Sequence, residues 1–277
     1  MRDRFSRIFD SCQAYVVHSA YGAAAEPGST PWGIDLSPEL RFDPLRVSSS
    51  AFLNILSRLD ALTFGPVGLS MPRWVFYDCA EMPGGIFGFA RPAAAVPEWV
   101  RRALHVEEGY EGPVPLSMYV AIPMLEPGAW HTYTLCSLNE VAPGSAPAGL
   151  RLLTQAAGLH TFGIEAAVGA TQWRSPKLSV HARFGPLDLL TAWTPAHSDP
   201  WTLTFRFPVD PDRIERALAP ETVAPTRHDV RWVDCDDERE LRSLQAEIEG
   251  GSRYQVVGGP VTDGSFTRVP ISAGGGS

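Results

Sequence analysis

The sequence predicts an α+β protein in which helices flank a mixed, largely antiparallel sheet, followed by a C-terminal helical and hairpin extension. Two observations carry this expectation. Between residues 71 and 139, aromatic and β-branched runs alternate with tight Pro/Gly turns, the pattern of an antiparallel meander. Between 146 and 208 the apolar spacing becomes that of a helix, then a strand, a helix and two strands, so the second half mixes both element types.

Taken in order, "QAYVVHSAY" reads as a strand and "GAAAEPGSTPWGIDLSPELRFDP" as a Pro/Gly-rich connector. In "SSSAFLNILSRLDALTFG", Phe52, Leu53, Leu56, Leu59 and Leu62 form a helical stripe, with Ser50 as N-cap and Gly65 past the end. "MPRWVFYDCAEMPGGIFGFARP" reads as two strands about a Pro-Gly-Gly break, and "VPEWVRRAL" as a short helix with Pro97 at its first turn. "PLSMYVAIPML" and "AWHTYTLCSLN" are two further strands split by Glu-Pro-Gly.

In "APAGLRLLTQAAGLHTFG", Leu150, Leu153, Ala157 and His160 recur at helical spacing, and "IEAAVGATQW" has strand length. "SPKLSVHARFG" opens with Ser175 as N-cap and Pro176 at the first helical position, and closes on Gly185. "PLDLLTAWTPAH" and "PWTLTFRFPV" read as strands, and "DPDRIERAL" and "DERELRSLQAEIEG" as helices. A hairpin-like tail then runs into "SAGGGS", expected to be disordered. The expected organisation is an N-terminal strand and connector over 1–44, a core over 45–208, and an extension over 209–277.

Composition narrows the function classes. Net charge is −8 and Lys/Arg residues form no run, so there is no electrostatic footprint for nucleic acid or an anionic membrane surface. No apolar run approaches the roughly 18 residues that a membrane span needs. Cys12, Cys79, Cys136 and Cys235 form no C-x-x-C pair, which argues against a zinc ribbon or disulfide framework and for a reduced, cytoplasmic chain. His131, His160, His181 and His197 show no H-x-x-x-H spacing, so no metal is expected.

Two stretches then stand out. "SLNEVAPGSAPAGLRLL" leads a strand into a helix, and "His181-Ala182-Arg183-Phe184-Gly185" ends the next helix. With the order of elements over about residues 45–208, they resemble the GNAT N-acyltransferase superfamily. Its members have an antiparallel meander, a strand leading through a loop into a long helix, a strand, a second helix and a closing pair of strands.

The family loop reads like V-x-P-x-x-R-G-x-G-L. Val141, Pro143, Gly149 and Leu150 fall on that frame, while no arginine stands at the family arginine position and the family's first glycine falls on Pro147. The resemblance implies that Asn139, Val141, Gly144, Ser145, Gly149 and Leu150 surround the pyrophosphate of an acyl-CoA co-substrate, with Arg151 supplying charge. Proline has no N–H to donate. Pro147 therefore leaves three options open: CoA held differently, a thioester on an acyl carrier protein, or a GNAT-like scaffold that binds a ligand or partner without catalysis.

His181 takes the place of the family tyrosine that serves the leaving thiol as a general acid, although Pro186 rather than an aromatic residue follows Gly185. Lys177, the sole lysine, lies four residues upstream on the same helical face and favours a neutral imidazole. The resemblance further implies a sheet that splays near Asn139 and Glu165, with Glu140 or Glu165 as general base for an amine or hydroxyl acceptor. Trp74, Tyr77, Trp173 and Lys177 are the candidate lining of a small-molecule cleft, and the segment after Pro208 would cap it or join two subunits of a homodimer.

Two readings of other classes stay beside this one. Lys177 at a strand-to-helix turn is compatible with amine catalysis in a decarboxylase-like lyase, and Asp78 and Cys79 beside a tight turn with a nucleophilic cysteine.

Overall fold

The computed structural model describes residues 2–19, 31–72, 84–197, 199–220 and 230–274. The chain divides into two compact units, Met1–Gly128 with Thr132–Ile164, and Ala129–His131 with Glu165–Ser277. The division after Ile164 falls inside the 45–208 span.

The first unit contains α1 (Ser6–Ser11), β1 (Gln13–Val17), β2 (Arg41–Phe42), α2 (Ser50–Phe64), β3 (Gly85–Pro92), α3 (Glu98–Ala103), β4 (Pro113–Pro115) and β5 (Ser117–Pro123). It is completed by most of β6 (Ala129–Ser137) and by α4 (Leu150–Thr161). Its strands run in the order β2-β1-β3-β5-β6, with β4 also on β3. β1 pairs antiparallel with β3 and β3 with β5, while the two-residue β2 runs parallel to β1. The first strand expected within 71–92 lies outside the described residues.

α2 buries Phe52, Leu53, Ile55, Leu56 and Leu59, one apolar stripe and its flank. Its ends differ from expectation. The cap position is Ser49, whose Oγ accepts from the Asp43 N–H (3.1 Å), so Ser50 is the first helical residue. Gly65 keeps right-handed geometry and begins a further 3-10 turn, which closes only at Gly68 (φ 71°).

α4 was expected to show one apolar stripe, but it buries ten of its twelve residues, including Thr154 and Gln155. It packs on β3 and β5. Thr154 Oγ1 meets Ser117 Oγ at 2.7 Å, and Ser117 Oγ in turn accepts from the Phe89 N–H (3.2 Å). Gly158 makes the close approach feasible, since a Cβ there would lie 2.4 Å from Cδ1 of the buried Tyr119.

The second unit contains β7 (Ala166–Gln172), α5 (Pro176–His181), β8 (Leu187–Thr191), β9 (Thr202–Pro208) and α6 (Pro211–Leu218). β10 (Arg231–Asp234), α7 (Glu238–Glu249), β11 (Tyr254–Val256), β12 (Val261–Asp263) and β13 (Phe266–Ala273) follow. Its sheet runs β10-β13-β11-β8-β9-β7, with β12 also on β13. These pairings are antiparallel, and β9 lies between β7 and β8.

The helices and hairpin expected after Pro208 are present. They also do more than extend the chain: β11 pairs directly with β8, so β10, β11 and β13 widen the sheet that β7, β8 and β9 begin. Phe184, Phe205 and Phe207 stack at its centre. The described residues thus form an α+β protein with seven α-helices and a largely antiparallel sheet architecture.

Candidate functional site

In the first unit, the stretch between β6 and α4 folds on its own side chains. Ser137 opens a 3-10 turn over Leu138–Glu140 as part of a capping box: its Oγ accepts from the Asn139 N–H (3.4 Å), while its own N–H donates to Glu140 Oε1 (2.9 Å). The Asn139 amide acts as a staple. Its Oδ1 accepts from the Ala146 N–H (3.0 Å), and its Nδ2 donates to the carbonyls of Ala146 (2.9 Å) and Pro147 (3.2 Å). Pro147, with no N–H, therefore contributes through its carbonyl.

Gly149 takes the N-cap position of α4 at φ 79°, a left-handed conformation that glycine adopts without strain. It supplies no side-chain cap. A Cβ at this point would also lie 2.8 Å from Cε1 of the buried Phe5, so the N-terminal segment rests against the loop. Leu150 is buried, Val141 is exposed, and Gly144 has open space where a Cβ would stand. Arg151 Nη1 lies 3.4 Å from Glu140 Oε1, which pairs the expected phosphate ligand with the expected base. Ser145 is 8 % exposed, and its buried Oγ has no hydrogen-bond partner among the described residues.

In the second unit, Ser175 caps α5 as expected, its Oγ accepting from the Lys177 N–H (3.3 Å). Lys177 is half-buried in the first turn of this six-residue helix. His181 ends the helix 4 % exposed, its ring centroid 5.0 Å from that of Phe205 on β9. Glu165 lies exposed at the bend before β7, and its carbonyl accepts from the Val209 N–H (2.7 Å). Trp173 is fully buried, with Nε1 donating to the Ala192 carbonyl (2.8 Å). Trp74, Tyr77, Asp78 and Cys79 lie outside the described residues.

Trp173 borders a cavity of about 360 Å³ that sequence reasoning missed. Gln172, Trp173 and Arg174 come from the end of β7, Asp199 and Trp201 from the turn before β9, and Cys235 and Asp236 from the turn after β10. Gln172 Nε2 donates to Asp199 Oδ2, and the Trp201 N–H donates to Asp199 Oδ1 (3.0 Å), an Asx turn built on Asp-Pro-Trp. Arg174 pairs with Asp236. Burial, reinforced by the nearby Asp234 charge, pushes the Cys235 thiol up to about 12, so it is a neutral wall near pH 7 and not a thiolate. The Asp-Pro turn was the one local signal for this site; the rest needed the fold to bring 172, 199 and 235 together.

Among the described residues there is no cluster of three metal-ligating side chains, and no helix is long and apolar enough to cross a membrane. No protein-family model matches the chain, and no curated protein matches it. The chain is similar to solved structures. One, described as an acyl-CoA N-acyltransferase from Klebsiella pneumoniae, is 11 % identical, with 59 % of this chain and 92 % of that one covered at a TM-score of 0.35. Another, FdhC, a nucleotide-linked sugar GNAT in its apo form, is 12 % identical over 62 % of this chain and 86 % of its own, at 0.36. A third, described as a GNAT-family acetyltransferase from Chromobacterium violaceum, is 14 % identical over 58 % and 82 %, at 0.32.

Proposed function

We propose that this chain is an acyltransferase of the GNAT type. It moves an acyl group from a thioester, on CoA or on an acyl carrier protein, to an amine or hydroxyl of a small molecule. The element order supports the reading: β3, β5 and β6, the loop, α4, β7, α5, β8 and β9 occur in the order the resemblance implies, and the first meander strand falls outside the described residues. The observation that carries it is the partnerless, buried Ser145 hydroxyl in a loop that feeds the uncapped N-terminus of a twelve-residue helix.

A buried hydroxyl without a partner costs about 1–3 kcal/mol, and a helix start without a side-chain cap leaves its first amides to other acceptors. A phosphate supplies what both lack, because its oxygens accept from hydroxyl and amides together and its charge suits the helix dipole. Arg151 stands in the first turn to meet it, in competition with Glu140. Pro147 reduces the number of loop amides, and the Asn139 staple holds the loop in shape before the ligand arrives.

Calorimetric titration with CoA, acetyl-CoA and a phosphopantetheine-loaded carrier protein tests the reading. One of them is expected to bind, and Arg151→Ala is expected to weaken it by about tenfold, the scale of one charge-assisted hydrogen bond. Binding by none of the three ends the transferase reading.

A further inference from the structure

The cavity beside Trp173 has a charge and shape that the transfer reading does not use. Its walls are fixed before any ligand arrives. Trp201 stands edge-on to Trp193 with ring centroids 5.3 Å apart at 79°, and the Arg242 guanidinium covers Trp193 at 5.1 Å. Gln245 Oε1 accepts from the Ala192 N–H (2.7 Å) and the Trp193 N–H (3.3 Å), while the Ala192 carbonyl holds the Trp173 indole.

Charge then decides the ligand class. Arg174 is spent on Asp236, so these two wall residues cancel. Among the described residues, Asp199 accepts only from neutral donors, the Gln172 amide and the Trp201 N–H, and makes no ion pair. An ionised carboxylate offers about four lone-pair sites, so acceptor capacity remains after two hydrogen bonds.

We propose that this cavity binds a small organic ammonium ion, with its charge on Asp199 and its carbon frame against Trp201. A cation gains twice here, from a charge-assisted hydrogen bond and from the Trp201 indole. A neutral molecule keeps only the apolar contact, and an anion meets an uncompensated carboxylate. The volume, about 360 Å³, lies at the small end of small-molecule sites. The site stands whether or not the chain transfers acyl groups, because it is argued from these walls alone.

The test is a fluorescence and calorimetric titration of the whole chain, with no thioester present, using phenethylamine, 2-phenylethanol and 3-phenylpropionate as matched probes. Phenethylamine is expected to bind at least about tenfold more tightly than the other two, and less tightly as salt rises. Asp199→Asn is expected to bring the amine down to the affinity of the alcohol. Equal binding of the alcohol or the carboxylate, absence of binding by the amine, or an Asp199→Asn variant that binds the amine unchanged would each overturn the proposal. The three-probe comparison on the unsubstituted chain needs no variant to fold, and a chain that ignores CoA can still pass it.

Discussion

Ser145 and Glu140 make opposite predictions about stability and binding. Removing a buried hydroxyl that has no partner relieves a desolvation penalty, so Ser145→Ala is expected to leave the unfolding free energy unchanged or up to about 1 kcal/mol higher. The same variant is expected to weaken the thioester donor severalfold, and urea unfolding beside calorimetry separates the two effects. Glu140→Gln keeps an oxygen for the Ser137 N–H but removes the charge that competes for Arg151, so donor affinity is expected to rise. A fall in affinity would mean that the carboxylate positions Arg151 instead of competing for it. Asn139, Glu140 and Arg151 could be picked out of the sequence because they sit in one short stretch. Their engagement with each other could not, because hydrogen-bond partners depend on the turn the loop takes. Asp199, Trp201 and Asp236 were beyond reach for a different reason, since no local pattern links them to Gln172.

At the scale of elements, the contact between α4 and β5 sets the sharpest expectation. Alanine is the better helix former by about 1 kcal/mol, and an exposed Gly158→Ala would therefore stabilise. Here the added methyl would meet the Tyr119 ring, which is fully buried and cannot swing aside. Overpacking of that kind costs about 1–3 kcal/mol, so a net loss of up to about 2 kcal/mol is expected from chemical denaturation. Most elements were legible because their apolar spacing and Pro/Ser boundaries are local: α5 begins at Pro176 after Ser175, as read. α4 betrays the limit of that reading. A helix covered on more than one side carries no single stripe, and Thr154 and Gln155 read as polar until Ser117 is seen beside Thr154. The four-residue β10 was missed because a run that short has no period of its own.

At the scale of the whole molecule, acid stability follows from the histidines. Burial holds His131 below the ordinary imidazole value of 6.5, and partial desolvation at the exposed end of α4 lowers His160 in the same direction. The unfolded chain therefore binds these protons more readily than the folded one. Stability from this source is complete above about 6.5 and is lost as pH falls from there toward the depressed folded values. Thermal unfolding midpoints are expected to decline below about pH 6.5, and His131→Gln to flatten the decline; an identical slope in the variant would assign the acid loss to carboxylates. The α+β class was legible at this scale because both kinds of spacing occur in one chain. The two units were not, since compactness depends on which strands find each other across long separations.

β13 carries a consequence for how the second unit is made. It receives β10, β11 and β12 along one eight-residue strand, yet it is the last of the four to leave the ribosome. Until it emerges, β10 and β12 have no strand to pair with and β11 has β8 alone. Translation therefore runs ahead of assembly in this half of the protein. A premature stop before Phe266 would release three open strand edges, a substrate for chaperones and proteases instead of a shortened but orderly sheet.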